Sequence, residues 1–304
     1  MANIALIGAL GVGMAHAVSA HTLGHKITAV MDIVDEAEIK RRFAEKEWVN
    51  AWGPFRDVAE TGYTPEVFTD LDAMHTYLES NVPDLIILAS PTDTHVEILD
   101  KMFDIPCKWL CEKPLAGSQV DAASTLEQKF GSQLDERLFV GYKWLYHPRV
   151  EEIMKRCKKA HERGMTIMIR DGHGYTIEEQ WKADIGIIMD LGVHCLSFLL
   201  QIHNELLPNT QLKCIGQTKS HGKHQHNSIT FAAGDEQTYH IETSYQSTID
   251  TAGNVGEILI EDVSLDWIDL FAVQIEVVLA GNGLVNWSKG RTIDTLADEW
   301  KANA

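Results

Sequence analysis

The sequence IALIGALGVG, residues 4–13, joins a short apolar run to a turn rich in glycine. A helical stretch, Met14–Leu23, follows and stops before Gly24, a residue typical of helix C-termini. Strand, glycine turn and helix in this order are typical of the dinucleotide-binding pattern G-x-G-x-x-G. Here the run reads G-x-x-G-x-G, because Leu10 stands where a second glycine lets the backbone approach the pyrophosphate. The stretch predicts a dinucleotide-binding βαβ unit, with ordinary turn glycines as the alternative.

Two neighbouring features favour the dinucleotide interpretation. The start of the helix after Gly13 can face a phosphate. A second predicted strand, Lys26–Asp32, ends in an acid at about the 20-residue distance that the pattern requires, where a carboxylate accepts hydrogen bonds from ribose hydroxyls. A carboxylate there repels the 2′-phosphate of NADP, so Asp32 favours NAD, unless it merely caps a helix. The predicted cofactor ligands in this region are Gly8, Leu10, Gly11, Val12, Gly13 and Asp32.

Strand and helix signals alternate through the rest of the first half. A helix begins at Asp35, with Glu38 placed as in a capping box, and runs to about residue 48. Glycines and prolines in residues 49–66 predict a long irregular connection. Further helices are predicted at 70–80, 94–102 and 118–130, the last opened by Ser118, and strands at 84–89, 107–111 and 138–144. This alternation predicts a parallel sheet with helices on both faces.

Length and composition set the limits of the class of protein. A chain of 304 residues predicts about two domains. The formal net charge of −18 argues against a nucleic-acid or anionic-membrane surface, although an anionic substrate needs only a local basic pocket. Five cysteines in no paired framework predict a reducing compartment. The N-terminus reads as a strand rather than a signal peptide, and no apolar run is long enough to span a membrane. We therefore expect a soluble, cytoplasmic protein.

The run CEKP, residues 111–114, ends an apolar strand with an acid, a lysine and a proline. Ligands bind in α/β sheets at the carboxyl ends of the strands. Lys113, fixed there by the following proline, is therefore a candidate for chemistry, and a salt-bridged surface lysine is the alternative. The segment Ser90–His95 follows strand 84–89 and borders the same edge. Its hydroxyls and amides either meet the cofactor or form a simple turn and helix cap.

The second half of the chain changes to strands joined by short turns. A helix at 148–162 leads into a strand at Thr166–Arg170. Later strands are predicted at 212–218, 227–233, 237–245 and 256–261, and closing helices at about 265–280 and 291–302. Such strands favour a mostly antiparallel sheet. The chain is accordingly divided into a first domain over residues 1–145 and a second over residues 146–304.

Asp190 and His194 are four residues apart, so they share a face of the helix predicted at 190–202. The helix is otherwise apolar, and a buried carboxylate and imidazole need polar partners. Either Asp190 caps the helix and His194 is a hydrogen-bonded core residue, or both act in chemistry. A second polar cluster contains His221, His224 and His226. No acid or cysteine joins it, so a solvated loop is favoured and no metal is predicted.

Together, five motifs resemble the Gfo/Idh/MocA family of glucose–fructose oxidoreductases and inositol dehydrogenases. They are the glycine run at 8–13, Ser90-Pro91 with His95, Glu112-Lys113-Pro114, GYKWLYHP at 141–148 and DLGVH at 190–194. The resemblance spans nearly the whole chain, since FAAG at 231–234 is similar to a later strand and turn of the family. It implies an α/β fold: an N-terminal Rossmann parallel sheet and a C-terminal α+β domain with an open, mostly antiparallel sheet.

Hydride transfer from an alcohol to a nicotinamide needs a base for the hydroxyl proton and a donor for the developing alkoxide. The resemblance implies that His194 is the general base or acid and that Lys113 is the oxygen ligand and a candidate proton relay. It implies that Asp190 orients the substrate or His194. The predicted cofactor-binding residues outside the glycine run are Ser90, Pro91, Thr92, His95, Glu112 and Lys113.

Three departures from the family leave the substrate open. Leu145 stands where the family often has arginine, and Ser197 stands where it commonly has an acid. Only Gly186 remains of the three glycines that usually precede the D-x-G-x-H element, after Asp184-Ile185. These positions line or support the substrate pocket in many relatives. Substrate identity is therefore not carried over.

The sequence predicts an NAD(H)-dependent oxidoreductase that interconverts a secondary alcohol and a ketone on a sugar, cyclitol or activated sugar. One alternative is an enzyme of the same fold that oxidises and re-reduces its substrate transiently to break a glycosidic bond. The other is a non-catalytic NAD-sensing regulatory protein. The resemblance also implies a homo-oligomer, a dimer or tetramer, formed through the C-terminal sheet. A cis bond between Lys113 and Pro114 is a further prediction.

Overall fold

The computed structural model describes residues 1–45, 65–117, 119–172, 186–219, 226–235, 237–244, 257–261, 263–265 and 268–303. The chain forms two compact units. The first consists of Met1–Gly141 and Asp269–Arg291, and the second of Tyr142–Ile268 and Thr292–Ala304. The first unit therefore includes a segment from near the end of the chain.

A six-stranded parallel sheet is the centre of the first unit. Its strands are β1 (Asn3–Ile7), β2 (Lys26–Met31), β3 (Glu66–Phe68), β4 (Leu85–Leu88), β5 (Lys108–Cys111) and β6 (Leu138–Val140). They lie in the order β3-β2-β1-β4-β5-β6, the order of a Rossmann sheet. All residues of β4 are buried, as expected for a parallel strand that is covered on both faces. The predicted parallel sheet is confirmed.

Six helices connect these strands in the part of the chain that the structure describes. They are α1 (Val12–Thr22), α2 (Glu36–Glu45), α3 (Leu71–Ser80), α4 (His95–Met102), α5 (Val120–Phe130) and α6 (Gln133–Arg137). Asp70 caps α3 by accepting a hydrogen bond of 2.8 Å from the Ala73 amide. The short elements β3 and α6 were not predicted. Helix α5 begins two residues later than predicted, and Ser118 lies outside the described residues.

The strand predicted over 138–144 is wrong in its second half. Strand β6 ends at Val140, and residues Lys143–Tyr146 form a 3₁₀-helix. Tyr142, Trp144 and Tyr146 are all buried, and so is Leu145 between them. A short helical turn that is buried on every side has an aromatic-rich sequence, and so does a strand with alternating buried residues. The composition of residues 141–146 therefore does not distinguish a 3₁₀-helix from a strand.

The returning segment 269–291 completes the first unit. Helix α9 (Leu270–Leu279) contributes Ile275 and Val278 to the core that surrounds the central strands. The Val140 amide then donates to the Val285 carbonyl oxygen (2.8 Å), so the segment covers the open edge of β6. Covering the edge removes unpaired backbone groups that would otherwise invite another strand.

A mixed sheet is the centre of the second unit. Its strands are β7 (Ile167–Gly172), β8 (Leu212–Lys219), β9 (His226–Ala233), β10 (Gln237–Ser244), β11 (Glu257–Ile260) and β12 (Val263–Leu265). The order is β12-β11-β7-β10-β9-β8, and every neighbouring pair is antiparallel except β7 with β10. The prediction of a mostly antiparallel sheet is therefore confirmed.

One face of this sheet is buried and the other is partly exposed. Along β10, Tyr239 and Ile241 are buried, whereas His240 and Glu242 are partly exposed. In the described part of this unit, the helices are α7 (Val150–Glu162), α8 (Val193–Leu206) and the later part of α10 (Trp287–Asn303). A π-helical turn, Ile188–Gly192, leads into α8. Among the described residues, no helix has the length and apolar character needed to cross a membrane.

Candidate active site

The glycine turn between β1 and α1 is shaped by close packing. A Cβ on Gly8 would lie 2.5 Å from the Ser90 amide nitrogen, and a Cβ on Gly13 would lie 1.9 Å from the Gly8 carbonyl oxygen. Both positions therefore require glycine. Gly11 has φ +66°, and no heavy atom lies within 4 Å of the place where its Cβ would stand. The turn leaves open space at Gly11, next to the N-terminus of α1, as a phosphate-binding turn requires.

Asp32 is joined to the glycine turn by hydrogen bonds. Its Oδ2 accepts from the Leu10 amide (3.1 Å), and its Oδ1 accepts from the Val34 amide (3.3 Å). The predicted ribose ligand and the predicted phosphate turn thus lie side by side at the carboxyl edge of the sheet. The bond to Val34 is the local contact expected of a turn-forming acid, and the bond to Leu10 adds a longer connection across the edge. The two interpretations of Asp32 are compatible.

Ile33 follows Asp32 and was not identified from the sequence. It is 88% exposed, which is unusual for a large aliphatic side chain beside a strand end. An exposed apolar surface next to Asp32, the predicted ribose ligand, offers an aromatic base a face to lie on. The high exposure of its side chain is the signal that identifies Ile33, and the sequence alone does not show this exposure.

The segment after β4 is held by His95. Residues Thr92–Thr94 form a 3₁₀-helix, and the Ser90 hydroxyl lies 2.7 Å from that of Thr94. The His95 Nε2 lies 2.8 Å from the Ser90 carbonyl oxygen, and its Nδ1 lies 3.1 Å from the carbonyl oxygens of Pro114 and Leu115. Burial lowers the pKa of His95 from its ordinary value of 6.5, and the facing carbonyls oppose part of that shift. The ring connects the loop after β4 to the loop after β5.

Glu112 and Lys113 lie at the end of β5. The bond between Lys113 and Pro114 is cis, as the sequence predicts. Glu112 is 7% exposed, and its Oε1 lies 2.7 Å from Nε2 of His16 in α1. Its Oε2 accepts a hydrogen bond of 3.2 Å from the Lys113 amide. Gly141 lies against this carboxylate, because a Cβ there would stand 3.2 Å from Glu112 Cδ.

His16 is a residue that sequence reasoning missed. It is fully buried in α1, and its partner Glu112 lies 96 residues away in sequence. The available signal was a single histidine in the apolar part of α1, shortly after Gly13. A buried polar side chain needs a partner, but the sequence does not say which one.

Asp190 and His194 belong to the second unit. Asp190 is partly exposed in the π-helical turn, and His194 is 5% exposed in the first turn of α8. The rings of Tyr142 and His194 meet edge to face, with 6.3 Å between their centroids. The Ser197 hydroxyl donates to the His194 carbonyl oxygen (2.7 Å). Single π-helical turns are often found at functional sites, so the local geometry favours a chemical role over a plain helix cap.

The glycine of the DLGVH motif has a packing explanation. A Cβ on Gly192 would lie 2.8 Å from Cζ3 of Trp300 in α10. Leu145, where the family often has arginine, is 3% exposed and belongs to the core. Asp184 and Ile185 lie outside the described residues. Gly192 therefore lets α10 pack closely against the helical turn that carries Asp190.

The thiols and candidate metal ligands add no second site to the described part of the chain. Burial raises the pKa of the Cys107 and Cys157 thiols to about 12, so these side chains stay protonated and are poor nucleophiles. No group of three metal-binding side chains occurs among the described residues. His221 and His224 lie outside them.

Comparisons with solved structures show the fold. A myo-inositol dehydrogenase from Corynebacterium glutamicum has a TM-score of 0.72 at 16% identity, covering 99% of this chain and 96% of its own. The WlbA (WbpB) dehydrogenase from Thermus thermophilus, in complex with NAD and UDP-GlcNAcA, has a TM-score of 0.69 at 17% identity over 98% and 94%. The UDP-N-acetylglucosamine 3-dehydrogenase GnnA from Acidithiobacillus ferrooxidans has a TM-score of 0.67 at 16% identity over 99% and 97%.

No curated protein sequence matches the chain. A family model described as an oxidoreductase family with an NAD-binding Rossmann fold matches residues 2–142. The match covers the parallel sheet, the glycine turn, Asp32 and the Glu112-Lys113-Pro114 motif, which are the features that the geometry identifies as a dinucleotide site. Residues 2–142 of this chain therefore match the Gfo/Idh/MocA oxidoreductase family model and form its NAD-binding Rossmann fold.

Proposed function

We propose that this protein is an NAD(H)-dependent oxidoreductase that interconverts a secondary alcohol and a ketone on a sugar, cyclitol or activated sugar. The observation that carries the proposal is the position of Lys113. It follows β5 at the same carboxyl edge as the glycine turn and Asp32, where a parallel sheet binds its ligands. The substrate class is supported by the structural neighbours, which include an inositol dehydrogenase and UDP-sugar dehydrogenases.

The residues present fit NAD better than NADP. Glycines at positions 8 and 13 allow the tight turn, Gly11 leaves space beside the helix N-terminus, and Asp32 offers carboxylate oxygens to ribose hydroxyls. The negative charge of Asp32 repels a 2′-phosphate. Replacing Asp32 by Ala should weaken NAD binding roughly tenfold and reduce the preference over NADP. Titration of both nucleotides by calorimetry measures this. An unchanged preference would remove Asp32 from the cofactor site.

Each catalytic residue has a proposed role. Bound NAD⁺ supplies the hydride acceptor. His194 takes the proton of the substrate hydroxyl, because imidazole is an effective base near neutral pH. The Lys113 ammonium stabilises the negative charge that develops on the same oxygen. Asp190 orients His194 or a neighbouring hydroxyl of the substrate.

The test of these roles is a panel of polyols, cyclitols and nucleotide sugars, with formation of reduced nicotinamide as the readout. Lys113→Ala and His194→Ala should each lower kcat by roughly 100-fold or more, with NAD affinity within about threefold of the wild type. Lys155→Ala, at an exposed position of α7, is the matched control. Full turnover by either catalytic variant would refute the assignment.

The same panel separates the other two functions. Product release without net change of the nicotinamide, from an enzyme that purifies with its cofactor, would support a transient-redox lyase or hydrolase. Tight NAD binding without turnover of any substrate would support an NAD-sensing regulator. The altered residues Leu10, Asp184 and Leu145 keep the regulator as an alternative. The presence of Glu112-Lys113-Pro114, Asp190 and His194 together disfavours it.

We further propose a cytoplasmic homo-oligomer. Among the described residues no disulfide joins any of the five cysteines, which suits a reducing compartment. The partly exposed face of the second sheet carries Met168, Arg170, His240 and Glu242, a mixed polar and apolar surface of the kind that subunit interfaces use. Multi-angle light scattering gives the oligomeric state. If Met168→Lys still forms the wild-type oligomer, this face is not the interface.

A further inference from the structure

His16 has a polar contact that none of the roles above uses. The ring is fully buried in α1, and its Nε2 lies 2.7 Å from Oε1 of Glu112. A carboxylate only accepts hydrogen bonds, so the His16 Nε2–H donates. Within the described chain, the other ring nitrogen, Nδ1, has no hydrogen-bond partner. The contacts therefore assign the imidazole proton to Nε2 and direct it to Glu112.

Glu112 also forms a hydrogen bond with Lys113. Its second oxygen, Oε2, accepts a hydrogen bond of 3.2 Å from the Lys113 amide. The Glu112 amide donates to the Leu88 carbonyl oxygen (2.8 Å), which ties the backbone of Glu112 to β4. One carboxylate oxygen thus accepts from His16 in α1, and the other accepts from the Lys113 amide. Two hydrogen bonds therefore connect His16 to Lys113 through Glu112.

Packing restricts rotation of both the His16 ring and the Glu112 carboxylate. The edge of the Phe271 ring packs on His16, with 4.6 Å between ring centroids and 69° between planes. The Glu112 carboxylate lies against the backbone of Gly141, where even a methyl group would stand 3.2 Å away. Packing therefore fixes both rotamers. Loss of the imidazole donor would leave a buried carboxylate with one partner fewer, which favours its reorientation.

We propose that His16 is a positioning residue for Lys113. By holding Glu112 in one rotamer, it fixes the Lys113 amide and so the direction in which the lysine side chain leaves the end of β5. The catalytic consequence rests on the proposed function, whereas the effect on Lys113 itself does not. A buried pair that only stabilised the fold would leave the behaviour of Lys113 unchanged.

The experiment compares two amide side chains of different reach in the full-length protein. In His16→Gln the amide nitrogen reaches about as far as the imidazole Nε2 and can still donate to Glu112. In His16→Asn the amide stops one carbon short. His21→Asn, in the last turn of the same helix, is the matched control. Acetic anhydride labels lysines, and peptide mass spectrometry gives the rate at Lys113 relative to the exposed Lys155.

We expect His16→Asn to change the relative acetylation rate of Lys113 by roughly threefold or more, because a hydrogen bond to a charged group is lost. His16→Gln and His21→Asn should stay within about twofold of the wild type on the same scale. With a substrate from the panel, His16→Asn should also lower kcat roughly tenfold at unchanged KM, and His16→Gln should restore it. If the wild type turns over no substrate, acetylation still decides the role of His16.

His16→Leu is the second variant without a donor, in case the Asn variant does not fold. A wild-type Lys113 rate in either folded variant would overturn the proposal. So would a Gln variant that is as altered as the Asn variant, because the contact to Glu112 would then not be the cause. Failure of both Asn and Leu variants to fold, with His16→Gln folded, would make His16 a structural residue and also overturn it.

Discussion

At the scale of single residues, the glycines of the first turn serve different physical ends. Gly8 and Gly13 are required by packing, because a Cβ at either would overlap backbone atoms. Gly11 is required by its positive φ, and the space beside it is open. Leu10, the departure from the standard pattern, has its amide bound to Asp32. The position left open for a phosphate is therefore beside Gly11 rather than at Leu10.

Gly11 and Gly24 form a matched pair that tests this placement. Both have φ between +66° and +76°, and neither would bring a Cβ within 4 Å of another residue. Ala at either position should therefore cost about 1–2 kcal/mol of stability, from the left-handed conformation alone. Only Gly11→Ala should also weaken NAD binding, by roughly tenfold, because its methyl group occupies the phosphate space. Urea unfolding and NAD calorimetry measure the two effects, and equal NAD affinities would contradict the placement.

His95 gives a prediction for the dependence of stability on pH. Burial lowers its pKa in the folded chain below the ordinary value of 6.5. Its contribution to stability is therefore fully present above pH 6.5 and is lost as pH falls through the lowered pKa. The difference in free energy of unfolding between wild type and His95→Gln should thus shrink from about pH 7.5 to about pH 5. Urea titrations at both pH values measure it, and the other histidines cancel in the difference. A constant difference would show that His95 is not the titrating group.

At the scale of elements, the π-helical turn Ile188–Gly192 is the least expected feature. The predicted helix over 190–202 is present, but it starts with π geometry and its α-helical part continues to Leu206. The apolar spacing of the sequence suits both geometries, so the pattern alone cannot separate them. The close approach of Trp300 to Gly192 is a long-range contact, and it accompanies the place where the helix widens.

Gly192 and Trp300 should be energetically coupled. A Cβ on Gly192 would lie 2.8 Å from the Trp300 ring, so Gly192→Ala should destabilise the second unit by about 1–3 kcal/mol through overpacking. Trp300→Phe removes the ring atoms that clash. The double variant should therefore be more stable than the sum of the single effects predicts. Additive effects in urea unfolding would mean that the helix accommodates the methyl group by itself.

Local signals explain which elements the sequence predicted. Strand β4 and helix α3 have strong apolar patterns and a capping Asp70, and both lie where they were expected. Strands β3 and β12 have three residues each and carry too little pattern to detect. The sequence predicts Asp32, Glu112 and Lys113 as site residues because each belongs to a recognisable motif. The sequence does not predict a role for His16, because that role depends on contact with Glu112, which is 96 residues away.

At the scale of the whole molecule, the first unit is not one continuous stretch of the chain. Residues 269–291 leave the second half and return to the first unit. No local sequence signal predicts this return, because α9 is an apolar helix and its buried side could pack against the core of either unit. The tertiary contacts decide it: Ser19 in α1 donates to the Asp269 carboxylate (2.8 Å), and Lys108 donates to the Leu279 carbonyl at the other end of the helix.

The return predicts which fragments fold. Helix α9 buries Leu270, Phe271, Ile275 and Val278 completely, at roughly 1.5–3 kcal/mol each. Their sum is comparable to the entire net stability of a domain, about 5–15 kcal/mol. A fragment of residues 1–145 should therefore show no cooperative thermal transition and no NAD binding. Residues 1–141 joined by a flexible linker to 269–291 should show both. Circular dichroism and NAD calorimetry on the two fragments measure this, and full-length NAD affinity in the shorter fragment would mean that α9 is dispensable for the Rossmann unit.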